Sequence, residues 1–282
     1  EEEEEKVTIL KESPSMSVRS GVSSPSVSLR HALLRNSSSG HEDDKQGGDG
    51  SNIKQTLMEL KGHSKVVVAA DWVHTDSVVS AAWDKCIVLW NIETGQDVHK
   101  TSDLTGEDLY YPLPTDLHVS PLKKNLFATS YSNGTVNIFD VRGSATEHSL
   151  HISGAHEDTC TCVRFSSCDE PILVSGGEDK TVKVWDLRNT KTPFHTIRCS
   201  SVVGRLSVSP KTSTIAIPLH DRSIRICDTR GARVINLRGT HKHGHKGMVN
   251  SVAWAMDESM LFSCGVDSVH HTRILCWGGK NK

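Results

Sequence analysis

Aromatic residues make up only 5% of this 282-residue chain, and no apolar run approaches the length of a membrane span. The second absence excludes a transmembrane helix, which needs about 20 consecutive apolar residues. The first, with a formal net charge of −2, removes the basic surface with interleaved stacking rings that direct nucleic-acid binding requires. No signal peptide is expected, because Glu1 to Glu5 do not resemble a basic segment followed by an apolar one. The eight cysteines, spread from Cys86 to Cys276, form no CxxC pair and no compact framework. They read as reduced, small buried hydrophobes of an intracellular protein. No Gly-rich phosphate loop occurs.

What charge there is lies unevenly. Residues 1–50 hold ten acids against six bases, so the rest of the chain holds 24 acids against 26 bases and is nearly neutral. Residues 1–52 also contain twelve serines and almost nothing that could enter a core, so a disordered, Ser-rich acidic leader is expected. Within it Ser13 and Ser24, each followed by proline, suit proline-directed kinases, and Ser39, three residues before Glu42, suits an acid-seeking one. Leu29, Leu33 and Leu34 share a helical face too short to hold a helix alone.

From Gln55 onward short alternating runs and turns take over, and they repeat. Ile87-Val88-Leu89-Trp90, Val136-Asn137-Ile138-Phe139, Val182-Lys183-Val184-Trp185 and Ile224-Arg225-Ile226-Cys227 are each followed by a polar residue: Asn91, Asp140, Asp186 or Asp228. The steps between those positions are 49, 46 and 42 residues, the period of a four-stranded propeller blade and not of a helical repeat. The period predicts an all-β propeller with four whole repeats, a fifth inner strand at Val249 to Trp254 and an orphan outer strand at Gln55 to Leu60.

Two repeats add a Gly-His or Ala-His start to a Trp-Asn or Trp-Asp end: Gly62-His63 with Trp90-Asn91, and Ala155-His156 with Trp185-Asp186. In this the chain resembles the WD-repeat family of β-propellers. The resemblance implies a buried hydrogen-bonded chain in each good blade, formed by His63, Ser80, Asp84 and Trp90, and again by His156, Ser175, Asp179 and Trp185. Ser to Asp is four residues and Asp to Trp six in both copies. A His, Ser and Asp also suggest a hydrolase triad, but recurrence at fixed offsets marks architecture rather than catalysis. His245, Ser263 and Asp267 give a partial third set, because Arg273 stands six residues after Asp267 and Trp277 arrives four residues late. The tail 268–282 is therefore expected to lie outside the repeat, leaving a partial propeller over 53–267. That is about four to five blades of a usually seven-bladed ring, a truncated or alternative form.

The second and fourth repeats are degenerate, with Phe139 and Cys227 at the Trp position, Asn133 at the turn-Asp position of the second, and Ile217 at the Ser position of the fourth. His241, His243, His245, His270 and His271 have no metal-ligand spacing, so no metal or other cofactor is expected. Cys160 and Cys162 alternate along a strand and should share one face. In the family, an Arg two residues after the Trp-Asp marks many substrate receptors of cullin-type ubiquitin ligases. Trp185-Asp186-Leu187-Arg188 carries that element, which makes Asp186 and Arg188 candidate adaptor contacts. The order of intact and degenerate repeats behind a Ser-rich leader is similar to one vertebrate member of the family. That closer resemblance implies a non-enzymatic scaffold of cytoplasm and nucleus, with phosphofurin acidic cluster sorting adaptors as partners.

Overall fold

The structure is a computed structural model that describes residues 7–9, 58–100, 112–143, 149–168, 171–232, 234–238, 244–268 and 271–278. Ser13, Ser24 and Ser39, the leucine cluster and His241, His243 and His270 lie outside the described residues. β1 (Val7–Ile9) and β2 (Met58–Leu60) form a two-stranded antiparallel ladder. The first blade contains β3 (Val67–Trp72), β4 (Ser77–Ala82), β5 (Ile87–Asn91) and β6 (Asp97–Lys100). The second contains β7 (Pro114–Val119), β8 (Leu126–Tyr131), β9 (Val136–Asp140) and β10 (Leu150–Ile152), and the third β11 (Cys160–Phe165), β12 (Ile172–Gly177), β13 (Thr181–Asp186) and β14 (His195–Arg198). The fourth comprises β15 (Ser207–Val208), β16 (Ile215–Pro218), β17 (Ser223–Cys227) and β18 (Ile235–Arg238). A fifth, three-stranded sheet has β19 (Met248–Trp254), β20 (Met260–Ser268) and β21 (His271–Gly278). Every ladder is an antiparallel meander, so the fold is an all-β, incomplete propeller.

Burial follows strand position. The second strands β4, β8 and β12 are buried on both faces for five of their six residues, as strands sandwiched between neighbouring sheets must be. The outer strands β6 and β18 are mostly exposed and carry Lys100 and Arg238, charges that discourage edge pairing. Apart from one cluster on the face of the first blade that β2 covers, the apolar clusters of the described residues lie between blades. Val79, Ala81 and Ile87 of the first blade pack on Leu117, Phe127 and Phe139 of the second, and Val174, Val182 and Val184 of the third on Val203, Ile215 and Ile217 of the fourth. Two outer strands cover the anchor of the following blade: Ile152 of β10 packs with Trp185, and Ile197 of β14 with Cys227.

Polar ties cross the same junctions. Asp71 accepts from the Val119 amide at 2.9 Å, Thr161 Oγ1 donates to the Val203 carbonyl at 2.8 Å, and the Arg205 amide donates to the Asn250 carbonyl at 2.8 Å. Asp116 and Arg164 form a buried ion pair between the second and third blades at 2.5 Å. Near the axis the Arg205 guanidinium donates to the carbonyls of Val68 and Thr115 at 3.2 and 3.3 Å, so one side chain of the fourth blade clamps the inner strands of the first and second.

Of the leader the structure describes Val7–Ile9, which pairs with β2 over three residues. Two expectations are corrected. Cys160 and Cys162 sit on opposite faces, Cys160 in the cluster between blades two and three and Cys162 in that between three and four. A bulge between them sets two residues of β11 against one of β12, which breaks the alternation. The same bulge recurs in β3, β7 and β19. The tail after Asp267 is not outside the repeat: β21 pairs along β20 from Met260 to Ser268.

Candidate functional site

The polar tetrads recur from blade to blade. In the first blade Trp90 Nε1 donates to Ser80 Oγ at 2.8 Å, Ser80 Oγ lies 2.7 Å from His63 Nε2, and His63 Nδ1 lies 2.9 Å from Asp84. The third repeats it with Trp185 to Ser175 at 2.9 Å, Ser175 to His156 at 2.7 Å and His156 to Asp179 at 3.0 Å. The indole can only donate, so the Ser oxygen accepts and its proton goes to Nε2. That leaves the proton on Nδ1, facing the carboxylate. Each Asp also braces its own turn: Asp84 accepts from the amides of Ser64 and Cys86, and Asp179 from those of Glu157 and Thr181.

Electrostatics follow from these bonds. Burial opposes the ionised form of Asp179, but hydrogen bonds from His156 and Thr181 outweigh it and hold the carboxyl well below the usual carboxylate range. Burial likewise opposes ionisation of Asp84 and Asp267, and the His and amide donors around each again bring the net shift down. The Ser hydroxyls are fully buried, with Ser80 and Ser175 at 0% exposure and Ser263 at 2%. A serine that gives its lone pair to an indole and its proton to an imidazole beneath a closed surface cannot act as a nucleophile.

The fifth sheet completes a third tetrad that sequence spacing missed. Trp277 Nε1 donates to Ser263 Oγ at 2.8 Å, Ser263 lies 2.8 Å from His245 Nε2, and His245 Nδ1 lies 3.3 Å from Asp267. In the first and third blades the Trp pairs with the residue two before the Ser, as Val78↔Trp90 and Leu173↔Trp185. Leu261↔Trp277 keeps that register. The four extra residues lengthen the hairpin evenly on both arms, and an even insertion leaves every side chain on its own face. The signal was readable as Trp277 itself, the one indole in the tail.

The degenerate blades show what loss of the tetrad leaves. Thr129 pairs with Asn137 as Ser175 pairs with Lys183, yet its buried Oγ1 has no hydrogen-bond partner, because Phe139 brings no indole N–H. Asn133 still caps its turn through Thr135, and Asp221 through Ser223 and Ser200. Ile217 is fully buried at the Ser position. Among the described residues no group of three or more His, Cys, Asp or Glu is placed to hold a metal.

The outward-facing candidates occupy a rim. Arg188 and Arg142 each fold a guanidinium onto the Asp two residues before, Asp186 at 2.5 Å and Asp140 at 2.6 Å, and both arginines are highly exposed. The Arg188 guanidinium lowers the Asp186 carboxyl to about 2. The Arg230 amide donates to Asp228 at 3.0 Å. Beside Arg142 lies a shallow groove of about 680 Å³ lined by His74, Leu122, Lys123, Lys124 and Asp140.

Repeated tetrads on repeated meanders are matched by comparison with known proteins: the WD domain, G-beta repeat pattern fits residues 54–91, 147–186 and 237–269. The chain carries WD40 repeats. It is 38% identical over 222 residues to WD repeat-containing protein 37 of Xenopus laevis and 36% identical to that of Homo sapiens, each match covering 78% of this chain and 43% of the relative. The chain thus spans less than half the length of these relatives. It is also 30% identical over 147 residues to the ribosome biogenesis protein WDR12 homolog of Nematostella vectensis, covering 52% of this chain and 33% of that protein. WD40 repeats of this kind point to a protein-interaction scaffold.

Proposed function

We propose that this chain is a non-enzymatic scaffold of cytoplasm and nucleus that binds intracellular sorting adaptors of the phosphofurin acidic cluster class. The observation that carries the scaffold reading is the direction of its polar groups. The His, Ser, Asp and Trp sets are consumed in holding turns, while the Asp-x-Arg turns and the Lys123–Lys124 groove present accessible surface on one rim. The choice of partner class comes from the family resemblance stated above; the similarity to WD repeat-containing protein 37, 38% identity over 222 residues, supports the repeat architecture of the scaffold. Phosphorylation at Ser13, Ser24 or Ser39 would add about −1.5 to −2 charge each and offers a place for control.

A second reading rests on Arg188, which is highly exposed in the Trp185-Asp186-Leu187-Arg188 turn and is the contact a cullin adaptor would take. The two readings separate in one experiment. The full chain and its Arg188→Ala variant, expressed with an affinity tag in cells, are assayed for capture of a phosphofurin acidic cluster sorting adaptor and of the cullin adaptor. Capture of the sorting adaptor by both forms supports the scaffold. Cullin-adaptor capture that Arg188→Ala abolishes supports the ligase receptor and overturns the first reading.

A further inference from the structure

Turns from two blades meet at the Lys123–Lys124 groove. The second blade contributes the turn 120–126, closed by the Ser120 amide on the Leu126 carbonyl at 2.8 Å and by the Lys123 amide on Ser120 Oγ at 3.1 Å. A bond of 2.9 Å from the Val141 amide to the Asn125 carbonyl ties this turn to the one that carries Asp140 and Arg142. His74 comes from the first blade, in a turn held by the Val73 and His74 amides on the Ser77 carbonyl. Backbone bonds therefore fix the walls, and the space of about 680 Å³ between them falls in the range of ligand pockets, about 300–1,000 Å³.

The lining is basic with an apolar shoulder. Pro121, Leu122, Lys123 and Lys124 are all exposed, Leu122 at 46%. Arg142 donates to both oxygens of Asp140, at 3.0 and 2.6 Å, so that pair adds no net charge. With His74 neutral, the groove carries the two positive charges of Lys123 and Lys124.

The third blade shows that the turn does not need those lysines. Its turn closes in the same way, with the Ser166 amide on the Ile172 carbonyl at 2.9 Å and the Leu187 amide on the Pro171 carbonyl at 3.0 Å. Asp186 and Arg188 repeat the Asp140 and Arg142 pair. Counting along the sequence from those bonds, Asp169 and Glu170 hold the positions of Lys123 and Lys124. The corresponding turns of the first, fourth and fifth sheets, which contain His74-Thr75, Pro210-Lys211-Thr212 and Met256-Asp257-Glu258, have no adjacent lysines either. One blade thus carries a charge of opposite sign on a frame that the third blade builds without it.

We propose that this groove binds an acidic linear segment of a partner protein, with carboxylates on Lys123 and Lys124 and an apolar side chain on Leu122. The proposal rests on the scaffold reading and gives the chemistry of one of its contact surfaces. Charge complementarity selects an acidic segment. The exposed leucine beside the lysines selects a peptide over a bare anion, because a small anion leaves that shoulder uncovered.

The test is fluorescence anisotropy with the purified full chain and a labelled peptide of about twelve residues, one Leu flanked by Asp and Glu. Saturable binding is expected, weakened about tenfold by Lys123→Asp with Lys124→Glu and about threefold by Leu122→Ser. The charge reversal restores the third blade's sequence, so the melting temperature should not change. The same peptide with Asn and Gln in place of its acids should also bind about tenfold more weakly. An equal loss in Lys65→Glu with Lys191→Glu, exposed lysines that do not line the groove, would overturn the proposal in favour of general charge attraction. Displacement of the peptide by inorganic phosphate at about 1 mM would overturn it in favour of a small-anion site. Self-association of the unsubstituted chain that the charge reversal abolishes would overturn it in favour of a second copy. Absence of saturable binding up to about 1 mM peptide defeats it outright, and leaves adaptor capture in cells as the separate test of the scaffold reading.

Discussion

The completed fifth tetrad makes a prediction that separates register from spacing. Trp277→Phe keeps a ring on Leu261 but removes the one donor to Ser263 Oγ, a hydroxyl only 2% exposed. His245 still accepts from Ser263, so the loss is one neutral hydrogen bond, about 1 kcal/mol. The smaller ring gives up roughly another 1 kcal/mol of burial, because Trp277 is half-buried and not enclosed as Trp90 is. Ser263→Ala should also destabilise, and the double variant should show a coupling of about 1 kcal/mol. Arg273→Phe, at the position that spacing alone assigns to the anchor, should show no coupling with Ser263→Ala. Native-state hydrogen exchange at the amides of β20 and β21 is the assay, since it reports opening of this end sheet apart from the rest. Zero coupling for Ser263 with Trp277 and a measurable one with Arg273 would refute the register argument.

Thr129→Val should be neutral to about 1 kcal/mol stabilising in chemical denaturation, because it removes a buried hydroxyl that has no partner; a loss of about 1 kcal/mol or more would mean the hydroxyl is bonded. Gly134→Ala should destabilise by about 2 to 3 kcal/mol in the same assay. Gly134 has φ +77°, and an added Cβ would lie 2.2 Å from the His156 carbonyl oxygen. The tetrad aspartates fix the pH response: their folded pKa values lie below an unfolded value of about 3.9, so their contribution is present above pH ~4 and is lost as pH falls through the lowered folded values. Asp179→Asn should therefore flatten the acid limb of the stability profile below pH ~4 while lowering stability at neutral pH, measured by urea titrations at stepped pH.

The polar repeat was legible because its physics is local in sequence. Ser80, Asp84 and Trp90 lie on one hairpin, so their spacing sets their geometry, and His63 follows from the need to satisfy a buried hydroxyl and carboxylate at once. Two features that spacing missed involve a change in residue count along a ladder. One extra residue in β11 sent Cys160 and Cys162 to opposite faces, whereas four extra residues in the β20–β21 hairpin left Trp277 where a Trp belongs. An odd insertion exchanges faces and an even one preserves them. Sequence patterns anchored on a fixed offset cannot distinguish these cases, because the offset fails in both. Burial of the hydroxyl distinguishes them: a Ser at 2% exposure needs a donor within reach, and Trp277 was the one indole downstream that could supply it. The same reasoning explains why Thr129, with Phe139 in that place, keeps its bulge, its turn and its packing but loses its bond. In this fold apolar contact between blades carries the architecture, and the tetrad refines those blades whose anchor can donate.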